Sequence, residues 1–304
     1  MDPVPTSELC YLDEPELNRP VLIMGFSGWP NAGEVSTETL RYLLARLSAR
    51  PLAYLMPDGF FDFTSSRPTA KIEDGVIREL VLPKNEFYYI KQYDQDRDLI
   101  LFLGEEPHLR WESFTGLVLN LAQDLGVETI YTVGGTYDYV PHWIEPRISA
   151  AFSSEEQRAR FERQNEHHGL VRVSYQGPIS IHSMILSSGR KRGMPVVGLW
   201  GHAPVYIHAG NLKVQINLIK TLTRTIHFSI DTTDLRDGLA QLDQKIQQLM
   251  EENPQLKKFI KELEKAYGRR TVPESQSSLM GSTPVTGKVI SMDEFLNREK
   301  DTDA

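Results

Sequence analysis

Residues 25–36 read GFSGWPNAGEVS, with Gly28 and Gly33 at the G-x-x-x-x-G spacing that opens a P-loop. A phosphate cradle then needs Lys, to meet the β- and γ-phosphates, and a Ser or Thr hydroxyl to hold magnesium. Glu34 and Val35 stand in those places, so a carboxylate occupies the position where an anion would have to bind. The dinucleotide spacing G-x-G-x-x-G is also missing, because the glycines fall at 25, 28 and 33. The loop is expected to be a strand-to-helix turn lining a crevice, with no nucleotide in it.

Other residues compete for a chemical role. Arg67, in Ser65-Ser66-Arg67-Pro68, has the charge for an anion clamp or a surface ion pair. His202 follows an apolar run and precedes Ala203-Pro204, which makes it the best single candidate for acid/base work; a hydrogen-bonded structural histidine is the competing reading. His167-His168 are neighbours in sequence and do not share a helix face. His142 and Glu145 have no further ligand near them in sequence, whereas a metal needs three or four. Cys10 lies in a segment read as irregular, and no G-x-S-x-G elbow occurs. No metal, no cofactor and no catalytic set is expected.

These candidates need a scaffold. Four apolar runs, Val21 to Met24, Leu99 to Leu103, Thr129 to Val133 and Val196 to Trp200, read as strands buried on both faces. Each meets glycine at its end: Gly25, Gly104, Gly134-Gly135 and Gly201. Helical stretches are expected at about 32–48, 110–125, 179–191 and 211–227, which gives an α/β layered domain. In an open parallel sheet the carboxyl ends of the strands face the ligand crevice. The candidate crevice residues are therefore Gly28, Trp29, Asn31, Glu34, Arg67, Gly134, Gly135, Thr136 and His202, with Glu105, Glu106 and Asp138 beside them. Glycine at such turns is equally what a strand-to-helix connection requires without any ligand.

Around this core, residues 51–93 carry two turn signals, Pro57-Asp58-Gly59 and Glu73-Asp74-Gly75, and read as antiparallel excursions on the sheet. Residues 153–169 read as a capped, charged helix over an edge. Leu235, Leu239, Leu242, Ile246 and Leu249 recur at alternating four- and three-residue spacing, a coiled-coil-like seam. Asn253-Pro254 ends that helix and starts another, lined by Leu256, Phe259, Ile260, Leu263 and Tyr267. The expected division is a core over 1–230, a helical hairpin over 231–268 and a disordered tail over 269–304. A short apolar knot at residues 289–296 interrupts the tail. The seam residues are the candidates for an oligomer or partner interface.

Composition narrows the partners. The 304-residue chain carries 33 Lys+Arg against 41 Asp+Glu, a net charge of −8, which disfavours nucleic acid and anionic membrane surfaces. No apolar run approaches the roughly 20 residues that span a bilayer. The acidic amino terminus is not expected to act as a secretory leader, and a single cysteine fits a reducing compartment. A cytoplasmic location is expected.

Five ordered segments carry a resemblance: LIMGFSGWPNAGEVSTETLRYL, DGFFDFTSSRP, TVGGTYDYVPH, PVVGLWGHAPVYI and LMEENPQLKKFIKELEKAYG. Together, from about Pro20 to Gly268, they resemble the proteasome assembly chaperone family named for the second such chaperone, and the hairpin resembles that of bacterial members. The resemblance implies a three-layer α/β/α sandwich with a mixed, mostly parallel sheet, of the kind found in phosphorylases and hydrolases, plus the αα-hairpin. It also implies homo-oligomers, and in some relatives help in assembling the proteasome α ring. It brings no catalytic residues. Chaperones that dock in proteasome pockets often end in a hydrophobic residue, a tyrosine and one more; Asp301-Thr302-Asp303-Ala304 departs from that, so docking by the last residues is not expected.

Two readings follow. One is a non-enzymatic assembly or interaction protein whose partners are copies of itself and, by the resemblance, proteasome subunits or another complex. The other is a protein that binds or converts a nucleoside-like or other small substrate at the strand ends.

Overall fold

The computed structural model describes residues 8–91, 97–165 and 170–269; the His167-His168 pair and the tail from residue 270, including its apolar knot, lie outside them. The strands in chain order are β1 (Leu9–Tyr11), β2 (Val21–Ser27), β3 (Arg50–Leu55), β4 (Thr69–Glu73), β5 (Val76–Val81), β6 (Asn85–Ile90), β7 (Leu99–Glu105), β8 (Thr129–Asp138), β9 (Ile148–Phe152), β10 (Leu170–Arg172) and β11 (Val196–Pro204). The helices are α1 (Val35–Arg46), α2 (Trp111–Asp124), α3 (Glu155–Gln164), α4 (Ile181–Lys191), α5 (Leu212–Ile226), α6 (Thr233–Glu252) and α7 (Pro254–Arg269).

The uninterrupted apolar runs are explained by burial on both faces. Along β2, Val21 and Ile23 enter one core cluster with Leu40 and Leu43 of α1 and Leu218 and Leu222 of α5. Leu22, Met24 and Phe26 enter the opposite cluster with Phe114 and Val118 of α2 and Ile181 and Ile185 of α4. Because successive strand residues point to opposite faces, an all-apolar strand must have a helical layer on each side. Nine strands form the sheet in the order β1-β3-β6-β7-β2-β8-β11-β9-β10. The four strands expected from sequence are its parallel centre, β7-β2-β8-β11. Antiparallel strands flank them, β6 on one side and β9 on the other.

The flanks hold the departures. β3 and β6 join the main sheet antiparallel, as expected of residues 51–93, but β4 and β5 form a separate two-stranded sheet. The amino-terminal segment read as irregular contains β1, which places Cys10 opposite Tyr54. The charged helix appears as α3, with Ser154 as N-cap accepting the Gln157 amide at 3.2 Å. Arg190 and Lys191 fall in the last turn of α4, where cations complement the helix dipole.

The α6–α7 hairpin turns at Asn253, whose side-chain oxygen accepts the amides of Gln255 (3.0 Å) and Leu256 (3.1 Å), so Pro254 can open α7 without a donor. Its seam packs within the chain. Leu235 is buried in the core beside α5, with Leu239 against it. Ile246 is fully buried with Leu256, Ile260 and Leu263 around Tyr206 and Ile207, and Leu242 and Leu249 lie against that cluster. Tyr206 and Ile207 follow directly on β11, so the hairpin closes the carboxyl end of that strand.

Candidate functional site

The turn after β2 is held mostly by its own residues. Gly28 has φ +94°, a backbone that glycine adopts without strain, and its carbonyl accepts the Asn31 amide at 3.2 Å. Asn31 then clamps the start of α1: its side-chain oxygen accepts the Thr37 amide (3.1 Å) and its amide nitrogen donates to the Thr37 hydroxyl (3.0 Å). Ser36 accepts the Phe26 amide and donates to the Val133 carbonyl. The Gly135 amide donates to the Pro30 carbonyl at 2.8 Å. A Cβ at Gly135 would lie 2.3 Å from the Ala32 carbonyl oxygen, so only glycine lets β8 pass this close to the loop. Gly134 is similarly pressed beneath Trp200 and His182. Asn31, Gly134 and Gly135 thus build the turn, while Glu34, at φ 58°, is exposed just before α1.

The largest side chain of the loop turns outward. Trp29 is 54% exposed and borders a cleft of about 390 Å³ with Gly28, Glu105, Glu106, Pro107, His108 and Trp111. This cleft lies at the carboxyl ends of β2 and β7, parallel neighbours in register from Val21↔Leu99 to Ser27↔Glu105. Glu106 organises it. Its amide donates to the Ser27 carbonyl at 3.1 Å, and its carboxylate accepts the Ile181 amide at 2.8 Å and the Trp29 amide. Ser180, the N-cap of α4, makes no side-chain cap bond, so Glu106 supplies the acceptor at that helix start. Burial pushes the Glu106 carboxyl above its ordinary range, and the two amides and His108 offset this only in part. His108 is placed by backbone bonds to Phe60 and by its ring Nδ1, which accepts the Asp62 amide at 3.0 Å. Trp111 donates its indole N–H to the Pro107 carbonyl at 2.6 Å, which fixes the second aromatic wall.

His202 sits elsewhere, at the ends of β8 and β11. Its Nδ1 is 3.0 Å from Asp138 Oδ2 and its Nε2 is 3.1 Å from Ser149 Oγ. Burial raises the Asp138 carboxyl, but the hydrogen bond and charge of His202, with Arg147 nearby, outweigh it and hold the group below its ordinary value. An ionised Asp138 accepts Nδ1–H, which leaves Nε2 to accept the Ser149 hydroxyl proton. These are the groups of a serine-hydrolase triad in the same order. Ser149, however, is only 6% exposed within β9, and the cavity lined by His202, Arg147, Asn211 and Tyr267 beneath the hairpin holds about 30 Å³, room for little more than a water or two. The chain Asp138-His202-Ser149 therefore ties β8, β11 and β9 together.

The structure thus sorts the sequence candidates. Gly28 and Trp29 share the cleft with Glu105 and Glu106; Thr136 pairs with His202 across β8 and β11; Arg67 is exposed and does not line the cleft. Trp111 and His108 were missed, since nothing local to them marks a site. Among the described residues, no three His, Cys, Asp or Glu side chains are grouped to hold a metal, and no helix is long and apolar enough to cross a membrane.

With the geometry in view, the similarities can be placed. A proteasome-assembly chaperone homologue from Mycobacterium tuberculosis is 26% identical, covers 79% of this chain and 99% of its own, and superposes with a TM-score of 0.71. A PAC2 family protein from Streptomyces avermitilis is 27% identical over 76% of this chain and 95% of its own, with a TM-score of 0.69. A Pyrococcus furiosus archaeal proteasome activator shares the fold at 24% identity and a TM-score of 0.63, covering 79% of this chain and 97% of its own. No curated protein matches the chain. The PAC2 family profile matches residues 25–250, from the glycine turn through the sheet to the end of the α6 seam, and the chain belongs to the PAC2 family.

Proposed function

We propose that this protein is an assembly-type factor that works in the cytoplasm through contacts with other polypeptides and with copies of itself, and not by turning over a substrate. The observation that carries the reading is the β4–β5 hairpin. Its register sets Ala70 opposite Leu80 and Ile72 opposite Ile77, and Ile72, Ile77 and Leu80 are 62%, 65% and 61% exposed. A lone two-stranded hairpin is marginal in water, and a grouped apolar surface of this kind marks an interaction site. Self-association is the economical solution, because one patch meets its own copy across a two-fold axis. The likeness to the Mycobacterium tuberculosis assembly-chaperone homologue supports a proteasome-type or similar complex as the client.

A second reading, a binder of a small molecule such as a nucleoside, is favoured only by the open cleft beside Trp29. Light scattering on the eluting full chain tests the first. The wild type should run as an oligomer, and Ile77→Asp combined with Leu80→Asp should reduce it to a folded monomer with an unchanged circular dichroism spectrum and a melting temperature that no longer depends on concentration. A wild-type chain that is already monomeric at tens of micromolar would sink the self-association.

A further inference from the structure

The cleft beside Trp29 has an electrostatic imbalance that the assembly reading does not use. Glu106 carries its charge into a part-buried position, where its hydrogen-bond partners are two backbone amides and the one nearby group of opposite sign is His108 on the cleft wall, which offsets the burial only in part; it forms no ion pair among the described residues. A carboxylate withdrawn from water without a cation is costly. The raised proton affinity of Glu106 expresses that cost. Glu105 adds a second carboxylate to the same wall. Beside Pro107 and His108, the remaining large surfaces are indoles. Trp29 stands out from a loop whose other side chains turn mostly inward, and Trp111 is fixed through its indole N–H. Indole faces attract cations, and about 390 Å³ falls within the range of small-ligand sites.

Other ligand classes fit less well. An anion would meet two carboxylates. A neutral apolar group would bury Glu106 further and leave it unpaired. A positive group on a slender apolar stem satisfies both features at once, because the stem lies along the indoles and the charged head reaches the carboxylate.

We propose that this cleft recognises a primary ammonium or guanidinium group, with Glu106 as its counter-ion and Trp29 and Trp111 as its walls. The inference goes beyond the assembly reading and does not depend on it. The cation is either the Lys or Arg side chain of a partner polypeptide or a free amine.

The chain has four tryptophans, so its indole N–H signals in a nitrogen-15 correlation spectrum are few and separable. Trp29→Phe assigns one of them. The full-length protein is titrated with acetyl-Gly-Lys-Gly-amide, with agmatine and with the neutral acetyl-Gly-norleucine-Gly-amide. The expected result is a saturable shift of the Trp29 and Trp111 signals with a cationic probe, no shift with norleucine, and steady signals from Trp143 and Trp200. Glu106→Gln should weaken the binding about tenfold or more, and so should raising salt from about 50 to about 500 mM. Trp29→Ala, at an exposed site, provides a second variant that cannot act through the core; binding read at Trp111 should fall with it. Equal binding of norleucine, wild-type affinity in both variants, or no shift with either cation overturns the proposal. Binding of the lysine peptide alone identifies a protein side chain as the source; binding of agmatine alone identifies a free amine. Either of those outcomes upholds the cation site, and an oligomer that fails to form would leave it untouched.

Discussion

Acid should unfold this protein through two buried histidines. His142 is 8% exposed, and its Nδ1 lies 2.7 Å from the Tyr206 hydroxyl, which also accepts the His142 amide. His182 is fully buried between Phe26 and Trp200, with ring centroids 5.4 and 5.0 Å away and neither nitrogen partnered among the described residues. Burial pulls both imidazoles down from 6.5, to about 4 for His142 and about 3 for His182. In the unfolded chain both take up protons near the ordinary value, so below it the unfolded state binds more protons than the folded state. The stability tied to the neutral rings is therefore complete above about pH 6.5 and is lost as pH falls toward 4. One proton corresponds to about 1.4 kcal/mol per pH unit, so each histidine contributes a loss of about 3 kcal/mol across that window. That is a large share of the roughly 5–15 kcal/mol that holds a domain folded. Glu106, whose carboxyl is raised, works in the opposite sense below its folded value. The assay is urea unfolding at a series of pH values. His182→Leu exchanges an unpartnered ring for an apolar side chain and should remove one of the two protons, halving the slope near pH 5. An identical slope in the variant, or a wild type equally stable at pH 6.5 and 4.5, would refute the reasoning.

Other substitutions probe the supports. Ile246→Ala empties the centre of the cluster that seats the hairpin and should cost about 2–5 kcal/mol, seen as a lower melting temperature and faster amide exchange across α6 and α7. Asn253→Ala removes the two cap bonds to Gln255 and Leu256 and should cost about 1 kcal/mol in urea denaturation. Asp138→Asn and His202→Phe should be coupled by about 1–3 kcal/mol in a double-mutant cycle; additive losses would mean that the Asp138-His202-Ser149 chain does not join its strands.

Much of the frame is legible in the sequence, because a strand covered on both faces must be apolar throughout. Val21 to Met24 and its three counterparts announce the parallel centre, and the glycines mark the ends of those strands. The flanks are quieter. Ile148 to Phe152 reads ISAAF, too short and too rich in small residues to show a period, and only its place beside β11 makes it a strand. The Glu73-Asp74-Gly75 turn correctly signals a hairpin, but nothing local says whether that hairpin joins the main sheet or stands apart. The site follows the same division. Trp29 and Glu106 lie next to glycines that end strands and draw attention by position. Trp111 and His108 reach the cleft because the Phe60 carbonyl captures the amides of His108 and Leu109, a contact across many residues. His202 is conspicuous alone, yet its partners lie 64 and 53 residues away, and only sheet pairing assembles them. The seam of α6 shows the limit of pattern: its spacing announces an apolar stripe but not whether the covering surface belongs to the same chain.

The central claim is that this protein acts by binding other polypeptides. Native mass spectrometry of the tagged chain isolated from its own cells, alongside the Ile77→Asp, Leu80→Asp variant, tests it most directly. The account predicts a wild-type complex containing several 34.6 kDa subunits and a second polypeptide at fixed stoichiometry, both lost in the variant. A bare monomer in both samples, with or without a bound small molecule, would contradict it.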